Sequence, residues 1–362
     1  MEPTRLLIVS HDLSENAAGR AHVIWTLARH LGIRASVIGT SSRGGVWLPL
    51  RQEHEFLEDC RLCPDGSAVA VALKTEVKAD VLILPVKTWP ASLGTACDVA
   101  EQTGVPLLVD IDDPDHMALV GPWAKPLYRH AFRVRMRLRG QSPRAFDQSD
   151  ALASILPRVV SNPELWRLYG EAPLVPHARA VPEICPPLPN SSTIDIAFVG
   201  TPRSHKGLTN LREAVSLLAA DGFTLTVTAD PPGDARPWER WVGITTLEQG
   251  RTILRSAQAV VLATSIQGYG RGQLPAKLVD AMAAGIPVVA SRTAPVAWAL
   301  GDAGRLVEGD AVDALTSAMR DLMDPALREK LGVRAHARAR AMFDVPVVAG
   351  SFAKAIGSIG AN

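Results

Sequence analysis

Six prolines fall between residues 173 and 189, in the stretch PLVPHARAVPEICPPLP. Each fixes its own φ and removes a backbone donor, so neither a regular helix nor a central strand can cross this segment. The chain is thereby cut into two parts. Its 362 residues also exceed what one hydrophobic core usually organises, and two domains of roughly 150 to 180 residues are expected. The boundary is placed near 180–192: a first domain over 1–180, a stiff proline-rich linker over 181–192 and a second domain over 193–345.

Within the first part, short apolar runs at Leu6–Ser10, Ala35–Ile38, Val81–Leu84 and Pro106–Val109 alternate with helical or loop stretches. Ala18–Leu31 has helical periodicity, with Val23, Leu27 and Leu31 on one face. Such alternation predicts an α/β fold with a parallel, doubly wound sheet. Gly19 is read into the loop between the first strand and this helix, where a small residue would admit a ligand; an ordinary βα turn is the alternative.

Composition narrows the class. With 38 Lys and Arg against 37 Asp and Glu, the formal net charge is only +1, which argues against a general nucleic-acid binder. No run of 18 apolar residues occurs, and MEPTRLLIVS has no signal-peptide pattern, so a soluble, cytoplasmic protein is expected. Cys60 and Cys63 form a CxxC with His54 nearby, but Cys97 and Cys185 supply no second pair at zinc-site spacing. Reduced thiols without metal are the expectation.

The densest signal is QGYGRGQLPAKLVDAMAAGIPVVAS, residues 267–291. A helix is expected from about Pro275, suited to a first turn, to Gly285, suited to a left-handed C-terminal cap, followed by the strand Val288–Ala290. Free N–H groups and the dipole at such a helix start attract phosphate. Lys277 adds a full charge there, and Asp280, one turn on, could accept from ribose hydroxyls.

The order PxKLxDAMAxGxPVVAS, with GDAGRLV at 301–307, resembles the donor-site signature of the family-4 glycosyltransferases, retaining enzymes of the GT-B fold. IDIAFVGTPRSHKGLTNLREAVSLL at 194–218 and WVGITTLEQGRTILRSAQAVVLATS at 241–265 resemble the same family in the same order. The resemblance implies two Rossmann-like doubly wound domains facing a cleft, with the last helical stretch, 346–362, crossing back to the first domain. It implies transfer of a sugar from a nucleotide-sugar donor to an acceptor, with retention, and no metal or other cofactor. Arg203 and Lys206 would bind the diphosphate with Lys277. Gly19, Gln267, Tyr269, Gly270, Gln273, Leu274 and Asp280 would complete the donor set, with the flexible glycines 270 and 272 near the sugar.

The pattern also has departures. Many relatives carry a Glu eight positions before the helix carboxylate, where this chain has Gly272, and Asp280 is one methylene shorter than the usual Glu. The alternatives are therefore a GT-B sugar-nucleotide epimerase or phosphorylase, and a non-catalytic partner subunit.

Asp110, Asp112, Asp113 and Asp115, with His116, are read as following the strand Pro106–Val109, where ligands of parallel sheets bind. Asp112, Asp113 and His116 are the candidate catalytic, acceptor-side residues; a metal-bound DxD and a solvated acidic loop are the alternatives. Residues 125–144 carry Lys125 and six arginines. Their period-two alternation conflicts with the helix that the resemblance implies. Such a segment suits an anionic membrane surface or a phosphate-bearing acceptor, with a plain solvated surface as the alternative.

Overall fold

The computed structural model describes residues 4–78 and 80–360 and divides the chain into two compact units. The first comprises residues 1–178 with 345–362, and the second residues 179–344.

In the first unit six strands form one parallel sheet: β1 (Arg5–Ser10), β2 (Arg34–Thr40), β3 (Cys60–Cys63), β4 (Val81–Val86), β5 (Val109–Ile111) and β6 (Arg158–Val160). Their order is β3-β2-β1-β4-β5-β6. Leu7, Ile8 and Val9 of β1 and Leu82, Ile83 and Leu84 of β4 are fully buried, because helices cover both faces of a parallel sheet and leave no polar side. The order reverses between β1 and β4, which sets the ligand crevice of such a sheet at the carboxyl ends of those strands. Helix Val345–Gly360 belongs to this unit and packs on helix Ala17–His30.

The second unit repeats the plan with β7 (Ile194–Phe198), β8 (Phe223–Val227), β9 (Glu239–Trp241), β10 (Ala259–Leu262), β11 (Val288–Ser291) and β12 (Arg305–Val307), all parallel. The order is β12-β11-β10-β7-β8-β9, so the reversal falls between β7 and β10. Helix Ala276–Ala283 buries Leu278, Val279 and Met282 against Val260, Leu262, Val288 and Ala290. Gly285 ends that helix at φ 70°, the left-handed conformation expected of it. A side chain at Gly332 would meet the Gly285 carbonyl at 2.2 Å, so helix Pro325–Met342 crosses this turn in backbone contact.

The proline-rich stretch, expected as a spacer, lies along the surface of the second unit from Arg179 onward. Val181 and Leu188 lie against its core, and the Cys185 sulfur abuts Gly285. Prolines leave carbonyls without helix or sheet partners. Gln258 donates to the Pro189 carbonyl and Arg340 to that of Glu183 at 2.8 Å, which ties the stretch down.

Other expectations also change. Strand β5 begins at Val109 rather than Pro106 and includes Asp110, because its register with β6 pairs Asp110 with Val159. Residues Pro126–Leu138 are helical despite their period-two alternation, with Pro126 at the first turn. Cys60 and Cys63 sit three positions apart on a strand and so face opposite sides of the sheet, and both are free thiols. Among the described residues no helix is long and apolar enough to cross a membrane.

Candidate functional site

In the second unit the two loops beside the strand-order reversal are locked together. Gly200 (φ 104°) and Gly207 (φ 64°) bound the loop after β7, and a side chain at Gly207 would meet the Ala263 carbonyl at 1.7 Å. Ser265, just beyond β10, donates its N–H to the His205 carbonyl at 2.8 Å. The His205 and Tyr269 rings stack at 5.4 Å. The expected flexible pair, Gly270 and Gly272, is instead buried in a short turn of helix, Tyr269–Gly272. A side chain at Gly270 would approach the Ser265 carbonyl to 1.8 Å, so its role is close packing.

Lys277 lies in the first turn of helix Ala276–Ala283, only 9 % exposed, and its ammonium has no hydrogen-bond partner. Its Nζ sits 3.7 Å from the Phe198 ring centroid, a cation–π contact that offsets part of the desolvation. Burial, and then repulsion from Lys206, push the Lys277 ammonium well below the usual lysine range. Lys206 donates to the Thr201 carbonyl at 2.8 Å, and Arg203 lies exposed in the same loop. The Lys277 ammonium is therefore destabilised by burial and by a second amine of like charge, an arrangement that an anion would relieve.

Asp280 faces outward one turn on, paired with Arg179 at the start of the unit, which the sequence reading did not identify. A ribose would share that carboxylate with Arg179. Gln267 is exposed and Gln273 half-buried. Leu274 is 1 % exposed and its side chain belongs to the core, so only its backbone is available to a ligand.

In the first unit the acidic residues are neither solvated nor unpartnered. Lys87, the residue after β4, places its ammonium 3.1 Å from Asp112, 3.6 Å from Asp115 and in direct contact with Asp113. Among the described residues Lys87 alone, apart from glycines, has positive φ, at 67°. Such a backbone costs on the order of 1–3 kcal/mol and is held only where the surroundings demand it. Here three buried carboxylates do so. Asp110 is paired separately, with Arg20 donating to both its oxygens at 2.8 and 2.5 Å and to the Val175 and Pro176 carbonyls.

Four buried carboxylates thus face two cations. Burial, only partly opposed by Lys87, pushes Asp112 up to about 7, while its three acidic neighbours help to keep Lys87 protonated. His11, directly after β1, stacks on Trp89 at 4.9 Å. Burial and the Lys87 charge push its imidazole down to about 3, so it is neutral at working pH. His116 stands between Asp147 at 2.8 Å and Asp150 at 3.3 Å. Gly19 is not in a loop: it lies in the first turn of helix Ala17–His30, where a side chain would come within 3.3 Å of Trp47.

Lys87 and His11 were therefore missed by residue type, although each directly follows an apolar strand at the crevice end of the sheet. That position was the available signal.

Two six-stranded, doubly wound parallel sheets are the plan of the GT-B fold. Residues 193–325, within the second unit, match the family described as glycosyl transferases group 1. The chain is 27 % identical over 283 residues to MMP alpha-(1->4)-mannosyltransferase of Mycolicibacterium hassiacum, covering 71 % of this chain and 66 % of that protein. Sucrose-phosphate synthase from Thermosynechococcus elongatus superposes with a TM-score of 0.69 at 14 % identity over 99 % of both chains. Anabaena HepE, solved with UDP and glucose, superposes with a TM-score of 0.71 at 13 % identity over 97 % of this chain and 99 % of its own. The chain thus has the GT-B fold, and its second unit carries the match to the group 1 glycosyl transferases.

Proposed function

We propose that this protein transfers a sugar, with retention, from a nucleoside-diphosphate-sugar to an acceptor hydroxyl. The observation that carries the donor half is the buried, unpartnered Lys277 ammonium at a helix start. A diphosphate would satisfy it, and Arg203 and Lys206 would neutralise charge growing on the leaving group. Asp280 would take the ribose. HepE was solved with UDP-glucose and the similar mycobacterial protein is named a mannosyltransferase, so UDP and GDP sugars are the donors to examine first.

Titration calorimetry with UDP, GDP and their sugars tests this directly. Micromolar to sub-millimolar binding of at least one diphosphate is expected; no binding of any at millimolar concentration would sink the reading. Asp280→Asn keeps the size and removes the charge. It should weaken nucleotide binding by roughly 1.5–3 kcal/mol, about ten- to a hundredfold, with the fold intact. Parent-like affinity would leave Asp280 with only its Arg179 pair.

On the acceptor side we place Asp112, Asp113 and His116. Replacing either aspartate also unbalances Lys87, so His116, which is partly buried and makes no contact with Lys87 among the ion pairs described, is the cleaner probe. His116→Ala should lower kcat/KM for the acceptor by roughly two- to tenfold, the loss of one hydrogen bond, with nucleotide affinity unchanged. Equal losses in both would move His116 to the donor side. Donor turnover without acceptor would favour an epimerase, a requirement for free phosphate a phosphorylase, and binding without turnover a non-catalytic subunit, the reading that Gly272 favours.

A further inference from the structure

Helix Pro126–Leu138 is joined to the first unit by one face only. Met136 is its single buried residue, Arg129, Phe132 and Arg133 are half-buried, and Arg133 donates to both oxygens of Asp147 at 2.9 Å. The opposite face carries Leu127, Ala131, Val134 and Leu138, spaced i, i+4, i+7 and i+11, which at 100° per residue fall within an arc of roughly 60°. This stripe faces solvent: Leu127 is 86 % exposed and Leu138 83 %. His130 and Arg137 border it on one side, and Tyr128, Arg135 and Arg139 on the other, all exposed.

No acidic residue occurs between Asp115 and Asp147, while Lys125, Arg129, Arg133, Arg135, Arg137, Arg139 and Arg144 do. A stripe of this width, flanked on both sides by long cationic side chains, has the profile of a helix lying in a lipid interface. The leucines would enter the acyl boundary, and the arginines, whose stems can lie along it, would reach the headgroup phosphates. A second copy is the wrong partner, since pairing two such stripes across a two-fold axis would bring arginine rows together.

We propose that this face docks the protein on an anionic lipid bilayer. The inference stands apart from the glycosyltransferase reading, because it rests on a face that carries none of the donor or acceptor residues.

Sedimentation with vesicles of phosphatidylcholine, alone or mixed with phosphatidylglycerol, tests it on the full chain. The parent should bind the anionic vesicles, bind pure phosphatidylcholine poorly and be released by high salt, which screens exposed charges. The triple variant Arg135→Glu, Arg137→Glu, Arg139→Glu should lose on the order of a hundredfold in partitioning, at about fivefold per basic residue near the surface. Leu127→Glu with Leu138→Glu should lose about tenfold or more. Both variants alter exposed side chains, so their melting temperatures should match the parent's. The proposal is overturned if the parent does not bind anionic vesicles, or if the double leucine variant binds as the parent does. It is equally overturned if the leucine substitutions leave vesicle binding intact and instead abolish a concentration-dependent dimer.

Discussion

Lys277→Met is expected to make the free protein more stable and a much poorer binder of diphosphates. The two effects have one cause. In the parent, a buried ammonium without a hydrogen-bond partner costs about 1–3 kcal/mol, and only part of this is returned by the Phe198 ring. Methionine keeps most of the volume and removes the charge. Melting temperature should rise by roughly 2–4 °C per kcal/mol recovered in a domain of this size.

The pH dependence has a definite sign. The folded-state pKa of Lys277 lies below its unfolded value, so the unfolded chain binds the extra proton between the two. The parent's handicap is complete below the folded pKa and fades as pH rises toward about 10.4, the unfolded value. The advantage of the variant should shrink over the same window, as differential scanning at neutral and alkaline pH would show. Diphosphate affinity should fall about ten- to a hundredfold, far more than affinity for the free nucleoside. Parent-like diphosphate binding by Lys277→Met would remove the donor-site assignment.

Lys87→Met should act in the opposite direction. It strands Asp112, Asp113 and Asp115 in a buried pocket without their shared cation, and breaking a buried pair in this way costs about 3–5 kcal/mol. A fall in melting temperature of roughly 10 °C at neutral pH follows. Acid should partly rescue the variant, because carboxyls whose folded pKa is raised favour the folded state once protonated. Asp112 already behaves in this way in the parent. With its pKa pushed up to about 7, its contribution is fully present below the unfolded value near 3.9 and is lost as pH rises through about 7. A melting temperature for Lys87→Met equal to the parent's across pH 5 to 8 would show that the cluster is solvated and its charges independent.

Much of the fold was legible because it is written in local periodicity. The apolar runs at Leu6–Ser10, Val81–Leu84 and Val288–Ala290 have too little polar surface for anything but strands covered on both faces. Gly285 announces the end of its helix, since left-handed backbone suits glycine best, and Lys277 is legible as a full charge on that helix start. These are properties of neighbouring residues, and a sequence displays neighbours.

What tertiary structure decided is which distant residues meet. The sequence places Lys87 more than twenty positions from the aspartates it neutralises, Arg20 ninety from Asp110, and Arg179 about a hundred from Asp280. No spacing rule predicts such pairs, because parallel strands adjacent in a sheet are separated by whole crossover helices. The same reason explains the acidic loop. Four aspartates read in isolation suggest solvent or metal, whereas the sheet brings Lys87 from the end of β4 and Arg20 from the first helix among them. Attachment of the proline-rich stretch to the second unit was likewise invisible, because its donors, Gln258 and Arg340, come from elements far along the chain. The sequence by itself determined strands, helix ends and the charged groups at the helix start; only the folded chain decided which charges are paired, which is left buried without a partner, and which helix face remains uncovered.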